Sequence, residues 1–173
     1  SIFLQQRVAI GKTTANQFLA SANVFLPGIL PTHNLVLNGS YQSRDTLGEY
    51  FFTNNFALAR GYPGLDFPRM WKWGLNYHFT IAYPDWGFGQ ILYFLRLRAN
   101  VFYDNTKLKS LRTGIITPLR SVGSEMYFDV KLWNQQALSL GLRYSRLLDV
   151  DKYPNTISAN QWEFIIPLNL IPR

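Results

Sequence analysis

Glu125 and Asp129 are the first residues to weigh for chemistry, because two carboxylates can divide acid and base work between them. They stand four residues apart in "EMYFDV". Along a strand that spacing is about 13 Å, too long for a glycosidase dyad. Asp149 and Asp151 share a turn-rich stretch, but a calcium loop needs further oxygen ligands at alternate positions. "GKTT" at 11–14 echoes the end of a phosphate-binding loop without its upstream glycine or following helix. His33 and His78 are the only histidines, and cysteine is absent. Disulfides and thiolate metal sites are thereby excluded, and a histidine-based metal cluster is not expected. A hydrolase reading of His78 lacks a serine partner that the sequence can name. The chain is expected to be no enzyme and to hold no cofactor.

Arg96 and Arg98 raise a different possibility. With net charge +7 and 16% aromatic residues, the chain could present a basic, aromatic surface to nucleic acid. In "ILYFLRLRANVFYD" (91–104), however, Tyr93, Leu95, Leu97, Val101 and Tyr103 alternate with Arg96, Arg98, Asn100 and Asp104. The aromatics and the arginines therefore lie on opposite faces of a strand, whereas a stacking platform needs both on one face. No nucleic-acid partner is expected.

Period-two alternation of this kind runs through most of the chain. Trp71, Trp73, Leu75, Tyr77 and Phe79 oppose Lys72, Gly74, Asn76 and His78. Met126, Phe128 and Val130 oppose Glu125, Tyr127, Asp129 and Lys131. Leu138, Leu140 and Leu142 oppose Ser139, Gly141 and Arg143; Trp162, Phe164 and Ile166 oppose Gln161 and Glu163. Earlier strands are predicted over 2–10, 17–26, 34–42 and 49–58, which gives nine strands of roughly ten residues, the length that crosses a bilayer at a tilt. Stretches 105–120 and 148–159 read as long loops, and Asn134 as the centre of a tight turn.

The chain is 47% hydrophobic but only 16% charged, below the roughly 25% of soluble domains. Its polar faces carry Asn, Gln, Ser, Gly and Arg, as a wet lumen would. Trp71, Trp73, Tyr83, Trp86 and Trp162 fall near strand ends, as an aromatic girdle would. No run of 18 apolar residues exists for a transmembrane helix. The expected fold is all-β: a single-domain (1–173) antiparallel transmembrane β-barrel. Its lumen-facing set includes Asn76, His78, Arg96, Arg98, Glu125, Asp129, Lys131 and Arg143. Nine open-edged strands cannot span a membrane, since each unpaired backbone group costs several kcal/mol there. The barrel is therefore expected to be partial, completed by upstream strands or another chain. A start at Ser1, without methionine or signal peptide, suits a mature chain or a piece of a longer one.

One stretch interrupts the alternation. "FALARGYPGLD" (56–66) begins as a strand with Phe56 and Leu58, then delivers Arg60, Gly61, Tyr62, Pro63 and Gly64. A solvated loop arginine is the plain reading. "ARGY" (59–62), however, resembles the V/I-R-G-Y/F motif of the bacterial surface antigen superfamily, which comprises BamA-type insertases and two-partner secretion transporters. In that family the motif tips a loop, here 59–68, that folds into the lumen of a sixteen-strand outer-membrane barrel. Five strands follow it. This sequence supplies five after Tyr62, and four before it. The family's second motif, F-x-D-x-G, resembles Phe102-Tyr103-Asp104, with Thr106 in place of the glycine. Asn76 stands where an acidic residue is frequent, and the chain closes "LNLIPR" without a terminal aromatic.

The resemblance implies the C-terminal half of such a barrel, in the bacterial outer membrane. It also implies contact with the lipid bilayer and lipopolysaccharide, and with client or partner outer-membrane proteins. Arg60 is expected to pair with Asp104 as a latch. The last strand, 160–171, with Trp162, Phe164 and Pro167, would be the seam at which a client strand pairs, since proline weakens the ladder there. Two alternatives stand beside insertion or translocation of proteins. One is a passive or structural pore that favours anions through Arg96, Arg98, Lys131 and Arg143. The other is a soluble β-sandwich binding module.

Overall fold

The computed structural model describes residues 1–9, 15–44, 56–89, 91–111, 113–133 and 135–166. The strands are β1 (Ile2–Ala9), β2 (Ala15–Pro27), β3 (Asn34–Arg44), β4 (Arg69–Ala82), β5 (Trp86–Phe88), β6 (Leu92–Lys109), β7 (Ile116–Leu132), β8 (Gln136–Leu147) and β9 (Asn160–Ile165). They form one antiparallel meander in the order β1-β2-β3-β4-β6-β7-β8-β9, and β5 lies as a short flap on β6. Every neighbour on the main path is also the next long strand in sequence. Non-local pairing is thus built entirely from hairpin-like steps. No second sheet packs on either face among the described residues, so the sandwich arrangement is not seen.

Two departures from the predicted strands have clear causes. β6 runs on to Lys109 and β7 starts at Ile116, so most of the expected 105–120 loop is ladder. Thr106, Leu108, Leu119 and Ser121 keep the alternation going under a cover of other residues and are fully buried. The lysines, Thr-Gly and Pro118 in this stretch disguise that alternation in the sequence. Conversely, Phe56 and Leu58 are not in a strand. The rest of the predicted 49–58 strand lies outside the described residues. β3 pairs directly with β4, so three strands, not four, precede the Arg60 loop among the described residues. Asn134 lies outside the described residues, but β7 ends at Leu132 and β8 starts at Gln136, as a tight turn requires.

The sheet has two unlike ends. β3, β6 and β8 run out at one, the loop end; β2, β4 and β7 run out at the other, the turn end. Its faces differ as well. On one, residues 56–67 lie across the strands. Phe56, Leu58, Ala59 and Tyr62 from this segment pack on Met70, Leu108, Leu119, Leu147 and Tyr153, and Phe67 packs at the margin. This covered face contains the buried core.

The opposite, open face exposes Leu4, Phe18, Val24, Leu37, Trp73, Leu75, Val101, Met126, Phe128, Leu140, Trp162 and Phe164. Exposed large apolar side chains outnumber buried apolar ones among the described residues. Tyr41, Trp73 and Tyr103 sit toward the loop end of that face, and Tyr83, Trp86 and Trp133 mark the turn end.

The expected closure into a barrel is not observed. β1 and β9 are each paired on one side only. The obstacle to closing these strands on themselves is steric. An eight-stranded barrel has an interior just wide enough for side chains. Here the inner surface would also have to hold the backbone of residues 56–67 and the core packed beneath it.

Candidate functional site

Backbone geometry at the tip of the covered segment directs the arginine. Gly61 has φ +86°, a left-handed conformation that glycine adopts without penalty. A Cβ at this position would stand 2.8 Å from Ser145 Cβ and 2.9 Å from Leu147 Cδ2. The tip therefore presses against β8, and only a residue without a side chain fits between them. Arg60 then points along the covered face toward the centre of the sheet.

Four residues from three strands receive it. Its Nε donates to Asp104 Oδ2 at 2.8 Å and its Nη2 to Asp104 Oδ1 at 3.1 Å, a bidentate fork. The backbone N–H of Arg60 also donates to Asp104 Oδ2, at 3.1 Å. Nη1 reaches Glu125 Oε1 at 3.1 Å, and Nη2 reaches Asn76 Oδ1 at 2.5 Å. The guanidinium carbon lies 3.6 Å from the centroid of the Phe102 ring, within cation–π range. Lys72 Nζ bonds the Leu58 carbonyl at 2.8 Å and lies 3.3 Å from Asp104 Oδ2, so it ties the loop's backbone to the same carboxylate. Arg143 Nε donates to Glu125 Oε1 at 2.6 Å, and its Nη1 to Glu163 Oε2 at 2.7 Å. Asn100 and Tyr127 complete the set with bonds to Glu125 Oε2 at 2.8 and 3.1 Å.

The expected pair, Arg60 with Asp104, is thus the centre of a network of three cations (Arg60, Lys72, Arg143) and three carboxylates (Asp104, Glu125, Glu163). Asp104 is fully buried and Glu125 nearly so. Burial of charge on this scale is tolerable only because each carboxylate is both ion-paired and hydrogen-bonded.

Two strand glycines make room. Gly74 faces Asp104 across the ladder, and a Cβ there would run into Asp104 Oδ1 and Asn38 Oδ1. Gly123 faces Phe102, and a Cβ there would approach the Phe102 ring to 2.7 Å. Sequence reasoning placed Gly74 on the polar face without a role. Lys72, Asn100 and Tyr127 were legible as inward residues by parity, but nothing in the sequence ranked them above their neighbours.

A second attachment holds the loop at Tyr62. Its hydroxyl donates to the Arg120 carbonyl at 3.1 Å and accepts from the Asp149 N–H at 3.1 Å. Asp149 sits before a 3₁₀ turn, Val150–Lys152, in the β8–β9 connection. Its side chain takes Arg120 Nε at 2.8 Å and Nη2 at 3.0 Å, and Lys152 Nζ at 2.7 Å. These cations hold the Asp149 carboxyl at about 2, well below its ordinary value, with the Arg120 hydrogen bonds as the main cause. Asp149 is neutralised by its own neighbours, and no group of three or more potential ligands stands ready for a metal among the described residues.

Asp129 anchors a separate cluster nearer the turn end. It accepts from Arg96 Nε at 2.8 Å, from Arg98 Nε and Nη2 at 2.7 Å, and from Ser139 Oγ at 2.6 Å. Glu125 and Asp129 therefore belong to different networks, as their spacing along the strand implies. His78 lines a cleft beside Arg96 and Arg98. Lys131 lies one inward position beyond Asp129, outside both networks. Trp162 and Phe164 project from the open face, 65% and 88% exposed. Pro167 lies outside the described residues.

No family model, curated protein or solved structure matches the chain.

Proposed function

We propose that this chain is part of an outer-membrane β-barrel of the BamA-like superfamily, acting in the insertion or translocation of proteins at the bacterial outer membrane. The observation that carries the reading is the seating of Arg60. A loop arginine followed by a left-handed glycine folds onto the covered face and forks onto Asp104, two strands further along the chain. This is the arrangement the "ARGY" and "FYD" resemblance calls for. With three strands before the loop and five long ones after, the described strands would correspond to nine through sixteen of that barrel.

The open face supports a bilayer partner. A contiguous apolar surface of this extent is not left to water by soluble monomers, and lipid satisfies it without any protein partner. Tyr and Trp toward both ends suit the two interfaces, where lipopolysaccharide would meet the loop end. Further strands must then pair with β1 and β9, because bilayer hydrocarbon tolerates no open ladder.

β9 is the candidate working edge. Among the described residues it is 6 residues long against 12 for β8. An edge strand with few ladder bonds opens at low cost, and a client strand could pair there through backbone hydrogen bonds.

A photo-crosslinking residue at Trp162 or Phe164 in native membranes tests the proposal. Adducts with nascent outer-membrane proteins are the expected result. Their absence, together with steady selective conductance in planar bilayers, would replace it with a passive pore. Recovery of the protein in buffer without detergent would overturn the membrane reading altogether.

A further inference from the structure

The arginines at the turn end do more than neutralise Asp129. Arg96 uses only Nε for that carboxylate, and Arg98 only Nε and Nη2. Both nitrogens Nη1 and Nη2 of Arg96, and Nη1 of Arg98, have no hydrogen-bond partner among the described residues. The two side chains remain 43% and 36% exposed. One carboxylate therefore faces two guanidiniums, and Lys131 adds a third cation on the same face.

Both arginines line a cleft of about 500 Å³ that opens on the covered face. Thr32, Asn34, His78 and Thr80 line it with them. Each of these six can donate a hydrogen bond, and no carboxylate is part of the wall. The Arg98 guanidinium is steadied over the Tyr127 ring, 5.3 Å from its centroid. Asp129 and Ser139 therefore act as a back support that orients the two forks and leaves their outer edges toward the cleft.

We infer that this cleft is an oxyanion-binding site, taking a phosphate or carboxylate group on Arg96 and Arg98 with His78 and Thr80 at its side. Planar guanidinium edges match two oxygens of either group. The site is independent of the membrane reading, since it needs only β3, β4, β6, β7 and the β2–β3 connection. The oxyanion could arrive as a free small anion or as an acidic side chain of a polypeptide crossing the face.

Calorimetric titration of the purified full chain, in detergent where needed, separates these cases. Inorganic phosphate is one probe, and a short glutamate-rich peptide beside its glutamine counterpart is the other. Arg96→Gln leaves Asp129 with Arg98 and Ser139, so the back support survives. It is expected to weaken the bound oxyanion roughly tenfold, the scale of one charge-assisted hydrogen bond. Arg146→Gln removes the same charge from the open face near the loop end and is expected to change nothing. Peptide binding without phosphate binding assigns the site to a polypeptide; phosphate binding alone assigns it to a free anion. Equal losses in the two variants would reduce the effect to bulk charge and overturn the site. So would absence of binding by both probes, with the fold verified by circular dichroism.

Discussion

The Arg60 network and the Asp129 cluster are built from the same parts on the same face of the same strands, yet they have opposite characters. Around Arg60, three cations meet three carboxylates, Asp104 is inaccessible to water, and the Arg60 side chain is 16% exposed. Around Asp129, two arginines share one carboxylate and stay more than a third exposed. The difference comes from residues 56–67, which cover the first region and stop short of the second. Burial turns an ion pair into a structural commitment, because each partner left alone keeps its full desolvation cost. Exposure leaves a similar pair cheap and adaptable.

Removing the buried cation is the strongest way to test that contrast. Arg60→Ala leaves the buried Asp104 with Lys72 as its one cation and strips Glu125 of one of its two arginines. The expected cost is about 3–5 kcal/mol, measured as a lowered midpoint in thermal unfolding. Normal assembly of this variant would end the latch interpretation. Gly61→Ala ranks next. It imposes a left-handed conformation on an alanine and drives a methyl into Ser145 and Leu147. A loss of about 1–3 kcal/mol is expected, measured as a lowered midpoint in thermal unfolding.

The sequence carried the alternation, and with it the face of nearly every site residue. The Arg60–Asp104 pair was legible only through the resemblance of "ARGY" and "FYD" to motifs whose arginine and aspartate pair. What the sequence could not carry was the third dimension of the loop. Nothing in "FALARGYP" says that Leu58 offers its carbonyl to Lys72, or that Tyr62 reaches the β8–β9 connection through Asp149. Those contacts join residues separated by 14 and 87 positions, and parity along a strand is silent about them. The 105–120 stretch was misread for a related reason. Its apolar residues alternate only to meet a segment lying over them, and that segment is distant in sequence.

Asp149 offers a milder test from the loop end. Its carboxyl, ordinarily near 3.8, is held at about 2 by Arg120 and Lys152. A depressed folded-state value contributes stability above pH 3.8, and the contribution fades as pH falls toward 2. Asp149→Asn is expected to lower the unfolding midpoint at neutral pH, with the gap to the unaltered protein closing between pH 3.8 and 2. A gap that persists unchanged at pH 2 would mean that the Asp149 charge does not hold this connection.

The smallest effect is expected where the comparison predicts indifference. Arg96 donates one hydrogen bond to Asp129, which keeps Arg98 and Ser139 when Arg96 is lost. Arg96→Gln should therefore cost less than about 1 kcal/mol of stability, the range of exposed pairs. The same substitution should leave the thermal effect of Arg60→Ala unaltered in the double variant, since Arg60 and Arg96 share no bonding partner among the described residues and sites without common partners add. A coupling well above about 0.5 kcal/mol would show that the covered and uncovered regions form one electrostatic unit. Burial by residues 56–67 would then not be what separates them.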